Sequence, residues 1–192
     1  MKRLSFFISD TLVMAQRNLI MLVRLPQLLV FSLVQPMLFV FMFRYVFGGA
    51  ISTGQPGLSY VDYLMPGIFL QTASFGAIST AVGLAEDKNK GLLERLKSLP
   101  MSRSAVLGGR VLADTARDAV VVVVMLLIGF LVGFNTHTSF VKVLGGIGLM
   151  TIFGSALCWI FAVIGLSVAN GETAQAAAFP ILAPLTFASN AF

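Results

Sequence analysis

Eighteen residues in the middle of the chain, EDKNKGLLERLKSLPMSR at 86–103, hold eight of its twenty-one charged side chains: Glu86, Asp87, Lys88, Lys90, Glu94, Arg95, Lys97 and Arg103. Long apolar runs flank this block on both sides. Burying such groups in hydrocarbon is costly, so the block must face water while its flanks need not. Within it Leu92, Leu93, Leu96 and Leu99 recur at helical spacing, Gly91 precedes the apolar stripe, and Pro100 removes a backbone donor and stops a helix. The pattern predicts a short amphipathic helix on a membrane loop. Two readings stay open: a solvated connector whose leucines rest on the bilayer, and a docking helix for a soluble partner.

Composition fixes the class. Hydrophobic residues make up 57% of the chain and charged ones 11%, with seventeen Phe and a mean hydropathy of +0.92, whereas soluble domains carry about 25% charged residues. An all-α, polytopic membrane protein is expected. The net charge of +5 would suit nucleic acid, but the basic residues are distributed as in a membrane protein, so no nucleic-acid partner is expected. A lone Cys158 excludes an intrachain disulfide, and with a single His137 it leaves no metal site and no Cys/His catalytic pair. Asp10, Arg17 and Arg24 interrupt any apolar core of a cleavable signal peptide.

Residues 1–24 carry Arg3, Asp10, Arg17 and Arg24 at every seventh position. Seven helical residues fall about 20° short of two turns, so the four share one drifting face, with Phe7, Met14 and Met21 in an apolar row on another. This predicts an interfacial amphipathic helix whose basic side chains reach water. Leu25 to Phe43 then holds nineteen residues without a charge, about 28 Å of helix and close to the thickness of a bilayer core. A first span is expected over 25–47, bent at Pro36, with Arg44 reaching the headgroups. Residues 48–59, with Gly54, Pro56 and Gly57, read as an external turn.

A second span is expected over 60–85, where Ala73, Ala77, Ala81 and Ala85 fall every fourth residue beside Gly76, Thr80 and Gly83. Such a smooth stripe suits close packing, within the chain or, as the alternative, in a dimer seam. The charged segment 86–104 follows, and then a third span over 112–134. Asp118 lies at its entry, and there Arg110 with Asp114 at i,i+4 and Asp114 with Arg117 at i,i+3 share a face on which opposite charges can pair as a structural clamp. A fourth, glycine-rich span is expected over 141–169 and a fifth, with Pro180 and Pro184, over 174–192. Eleven of the thirteen Lys and Arg fall either in the N-terminal arm or between Lys88 and Arg117, which predicts that both are cytoplasmic. The run ends at Phe192 without a flanking polar segment, as a truncated bundle would.

The order of these elements resembles the permease subunits of ABC-2 type exporters over essentially the whole chain. The residues carrying the resemblance are Tyr63 to Gly67, Asp87 to Gly91, Arg95, Ser98 to Leu107, Gly109-Arg110 and Asp114. The string from Asp87 through Asp114 is similar to the daunorubicin-resistance permease branch; where other branches open the loop helix with Gly-Thr, here Gly91 is followed by Leu92. The resemblance implies a six-helix subunit of which the re-entrant segment and last helix are missing here. It also implies a second permease in a homo- or heterodimer and two separate ATP-binding subunits. On that resemblance the loop becomes an ATPase-coupling helix, with Gly91, Leu92, Leu93, Glu94, Arg95, Leu96, Leu99 and Pro100 at the contact.

No G-x-x-x-x-G-K-[ST] occurs in the sequence, so ATP and magnesium belong on the partner and the chain itself carries no cofactor and no catalytic residue. The expected activity is export of an amphipathic, drug-like or hydrophobic compound across the plasma membrane. Candidate apolar contacts for it include Phe31, Met37, Phe39, Phe69 and Phe75. The alternatives are a lipid or glycan exporter, a scaffold without transport, and an intramembrane enzyme; the last lacks any set of catalytic polar groups at membrane depth.

Overall fold

A computed structural model describes residues 2–47, 60–98, 102–136 and 138–188. Seven α-helices follow one another: α1 (Lys2–Arg24), α2 (Pro26–Phe41), α3 (Tyr60–Asn89), α4 (Leu92–Lys97), α5 (Arg103–Val132), α6 (Phe140–Ser167) and α7 (Gly171–Ala188). A π-helical turn, Met42–Phe47, continues α2. The described residues contain no strand, and the fold is all-α. Among the described residues, four segments are long and apolar enough to cross a membrane: Leu29–Val46, Val61–Asn89, Ser104–Val132 and Phe140–Ser167. They overlap the first four expected spans, the third starting at Ser104, eight residues before the expected boundary. The fifth begins as α7, which opens on Glu172 and Gln175 and is not one of the four; residues 189–192 lie outside the described part, as does the expected external turn at 48–59.

Helix ends follow local chemistry. Leu25 precedes Pro26, which disfavours helical geometry there and separates α1 from α2. The second span runs four residues beyond the expected boundary, to Asn89, because nothing before Gly91 breaks it and Lys90 pairs with Glu86 at 2.9 Å. Gly91 then takes a left-handed conformation, φ 68°, that only glycine adopts freely, and α4 starts from it in a new direction. Asn170 and Thr173 cap α7 reciprocally: Thr173 N–H donates to Asn170 Oδ1 at 2.9 Å, and Asn170 N–H donates to Thr173 Oγ1 at 3.2 Å.

The centre of the molecule is α3, which packs against α2, α5, α6 and α7. Ala73, Ala77, Ala81 and Ala85 are all buried, and the partner that covers them is α6. There Gly154, Leu157, Cys158, Phe161, Ala162 and Gly165 form the buried stripe. The approach is closest at Gly165, directly against the backbone of Ala81. The alanine stripe is thus an intrachain seam. Two ties hold the ends of α3: Asn135 N–H donates to Asp62 Oδ1 at 2.8 Å at one end, and the Lys88 ammonium donates to the carbonyls of Leu166 and Val168 at 2.7 and 3.1 Å at the other. The second tie caps the C-terminus of α6 with a cation, the sign its dipole favours.

The N-terminal helix docks differently from its charge period. Of the apolar row Phe7, Met14 and Met21, only Met14 is buried; the packed face is Met14, Ala15 and Asn18, lying on α5. Gly109 explains the choice, because a side chain there would meet Met14 and the Thr11 carbonyl, so its absence lets the two backbones meet.

The glycines of α6 supply a test of the seam. Gly165→Ala should lower the detergent melting temperature, by the equivalent of about 1–3 kcal/mol, because Ala81 leaves no room for a methyl. Gly148→Ala, whose added methyl meets nothing, should leave it unchanged or raise it through helix propensity. The reverse order of the two melting temperatures would contradict the packing described.

Candidate functional site

Two apolar clusters line the bundle. One gathers Ala77 to Ala85 of α3 with Val111 of α5 and the buried stripes of α6 and α7; the other gathers Val61 to Ile68 of α3 with Val121, Met125 and Val132 of α5 and Val40 of α2. Between them, at Thr72 to Gly76 on α3 and Asp114 to Asp118 on α5, the interior is polar.

The charges there form a ladder. Arg110 Nη1 reaches Asp87 Oδ2 at 3.3 Å and its Nε donates to Asp114 Oδ2 at 2.9 Å. Asp114 Oδ1 faces Arg117 Nη1 at 3.4 Å. Arg117 then donates to Asp118 Oδ1 through Nε and Nη2, at 3.1 and 3.0 Å, and to the Gly76 carbonyl at 2.9 Å. Asp118 Oδ2 accepts from the Cys158 thiol at 3.7 Å, and Thr80 donates to that sulfur at 3.4 Å. Each oxygen of Asp114 and of Asp118 therefore has a partner, the condition under which buried charge is tolerated.

Space for the ladder comes from glycine. The helices α3 and α5 run antiparallel, with Gly83 against the Arg110 guanidinium, Gly76 against Asp118 and Met65 against Gly129. A methyl at Gly76 would stand 2.5 Å from Asp118 Oδ1. Arg110, Asp114 and Arg117 are thus brought together as the spacing predicts, and four further members join them: Asp87, Asp118, Gly76 and Cys158. Gly76 and Gly83 lie one heptad apart beside the alanine stripe, the signal that a second face of α3 meets something bulky.

The segment expected to couple to a partner hangs from the C-terminal end of α3. In α4, Leu92, Leu93 and Leu96 are half-buried, Glu94 and Arg95 are exposed, and Gly91 supplies the hinge; Leu99 and Pro100 lie outside the described residues. The Glu86 carboxylate, hydrogen-bonded to the exposed Lys90 ammonium, raises that lysine's pKa above its ordinary value.

A cavity of about 1020 Å³ runs from this region into the bundle. Leu92 and Arg95 of α4, Arg17 and Met21 of α1, and Leu25 between α1 and α2 line one end; Gln35 and Phe39 of α2, Gln71 and Phe75 of α3, and Phe179 of α7 line the other, with Arg117 and Asp118 in its wall. The Gln71 amide oxygen is buried without a hydrogen-bond partner among the described residues. Of the five apolar residues put forward as contacts, Phe39 and Phe75 reach this cavity. Phe31 is 72% exposed on the outer face of α2, Phe69 packs edge-on against Phe134 with centroids 6.3 Å apart, and Met37 is half-buried elsewhere.

The ladder predicts unequal costs for its carboxylates. The Asp114 side chain is 5% exposed and serves both arginines, whereas Asp87 is 23% exposed and serves one. Asp114→Ala should destabilise by about 1–3 kcal/mol, since Arg110 and Arg117 each lose one charged hydrogen-bond partner but keep Asp87 and Asp118, and Asp87→Ala by about 1 kcal/mol or less. Thermal melts in detergent check this; equal melting temperatures would remove the ladder's structural role.

Residues 9–192 match the ABC-2 type transporter family. The chain is 30% identical over 185 residues to the daunorubicin resistance ABC transporter permease protein DrrB1 of Streptomyces coeruleorubidus, which covers 96% of this chain and 65% of that protein. It is also 30% identical over 166 residues to the probable doxorubicin resistance ABC transporter permease protein DrrC of Mycobacterium tuberculosis, covering 85% of this chain and 59% of the relative. The chain thus spans about two thirds or less of the length of these curated relatives. No solved structure matches it. With its all-α bundle, and four membrane-length helices among the described residues, the chain belongs to the ABC-2 type transporter family and is a multi-pass membrane protein similar to the daunorubicin- and doxorubicin-resistance permeases.

Proposed function

We propose that the chain is the membrane-spanning part of an ATP-driven exporter that moves an amphipathic, drug-like compound, with ATP hydrolysed by a separate subunit seated on α4. The observation that carries this reading is the way α4 is attached. It hangs by Gly91 from the end of α3, and that end is fastened to α5 through Asp87 and Arg110 and to α6 through Lys88. A force on α4 therefore passes into the core rather than into a slack loop. The cavity supports the substrate class, since it combines Phe39, Phe75 and Phe179 with Gln35 and Gln71, a mostly apolar wall with few polar anchors. The relatives' association with daunorubicin and doxorubicin resistance supports the direction of transport. A second permease completes the assembly in this reading, and the N-terminus and α4 both face the cytoplasm of the cell membrane in which it sits.

Docking is tested at Leu96. As part of the apolar face that α4 presents beside the exposed Glu94, it is an anchor of the kind whose loss costs about 2 kcal/mol or more, over tenfold in affinity. Leu96→Asp in the full-length protein should leave expression and insertion intact while the ATP-binding subunit no longer co-purifies and export stops. Retention of that subunit at wild-type stoichiometry with transport preserved would return residues 86–103 to the status of a connector.

Orientation has its own test. Single cysteines at Lys90 and Gln55, in a Cys158→Ser background that keeps a donor for Asp118, should react with a membrane-impermeant thiol reagent from opposite sides. Labelling of position 90 but not 55 in intact cells would reverse the proposed topology.

A further inference from the structure

We infer that the end of the large cavity nearest α4 seats an anionic phospholipid, its phosphate held by Arg17 and Arg95 and its acyl chains running past Met21 and Leu25 toward Phe39. Basic residues near the ends of membrane helices are common and by themselves say nothing of a site. These two differ in where they stand. Arg17 is on α1 and Arg95 on α4, yet both line one cavity. Every other cation in its wall is already matched: Lys90 by Glu86, Arg110 by Asp87 and Asp114, and Arg117 by Asp114 and Asp118. Neither Arg17 nor Arg95 has an ion-pair partner among the described residues, so two positive charges are left over at this end.

A guanidinium fork matches phosphate oxygens, and two of them match a phosphate approached from two sides. Immediately beside them the lining turns apolar, with Met21, Leu25 and Leu92. That sequence of cation and then hydrocarbon is complementary to a headgroup with chains attached, and not to a free anion. The volume of about 1020 Å³ is also at or above the top of the range of roughly 300–1,000 Å³ usual for small-molecule pockets. In the orientation proposed above, the lipid comes from the inner leaflet. Binding itself rests on neither the orientation nor export, so failure of either would leave it standing.

The full chain, purified in a neutral detergent, can be titrated with phosphatidylglycerol and with phosphatidylcholine of identical acyl chains, and bound lipid counted by native mass spectrometry. Two juxtamembrane arginines predict a preference for phosphatidylglycerol of about thirtyfold. The Arg17→Gln, Arg95→Gln double variant should lose it, while the pair Arg17→Lys and Arg95→Lys, which keeps both charges, should retain most of it with an unchanged melting temperature. Arg24→Gln, on α1 but outside this cavity, should behave as wild type. The proposal is overturned if the wild type shows no preference or the double Gln variant keeps it. Equal loss in Arg24→Gln would also sink it, since a diffuse surface field and not a seat would then be responsible. Displacement of phosphatidylglycerol by equimolar inorganic phosphate would show that the site takes a free anion instead.

Discussion

The bundle is organised around the need to hold charged side chains where little of their surface reaches solvent. Five of them, from Asp87 to Asp118, lie in or beside the packed interior between α3 and α5. Their mutual attraction offsets the desolvation only if geometry and hydrogen bonding are complete. Completeness here depends on neighbours that carry no charge: the Gly76 carbonyl fills an Arg117 donor, and the Cys158 thiol fills the last oxygen of Asp118. The apolar clusters on either side then pack against a layer that is already satisfied.

This layer also sets which helices act together. Ion pairs and hydrogen bonds join α3, α5 and α6, and α1 is fixed to α5 at Gly109. The α2 helix is attached mainly by apolar contacts and presents Val30, Phe31 and Leu38 outward. It forms one wall of the cavity, through Gln35 and Phe39, against a body braced by directional bonds. Packing without such bonds allows small shifts at little cost, so α2 is the wall best placed to adjust to what the cavity holds.

Class and spans are legible in the sequence because a bilayer imposes length and composition directly, and the stretch from Leu25 to Phe43 can be little else. The alanine stripe of α3 is legible too, since small residues every fourth position announce a close neighbour. What periodicity does not disclose is which neighbour. On α1 a row of charges seven apart is plain, yet the face that packs is Met14, Ala15 and Asn18, chosen by Gly109 nearly a hundred residues away. Arg110, Asp114 and Arg117 are found by helical spacing; Asp118 escapes it because adjacent helical residues do not normally face each other, and only the arginine's length closes the pair. The six residues of α4 read correctly as a helix starting after glycine, whereas the hold of Lys88 on the end of α6 joins segments far apart in the chain and leaves no local mark.

The single cysteine illustrates how far a neutral member can matter. Its sulfur is wholly buried where α3, α5 and α6 meet, between Thr80 and Asp118. No aqueous reagent reaches it while the three helices stay closed, so its alkylation rate measures how often they part. The protein thus contains an intrinsic clock for the opening of its own core, readable without attaching a probe.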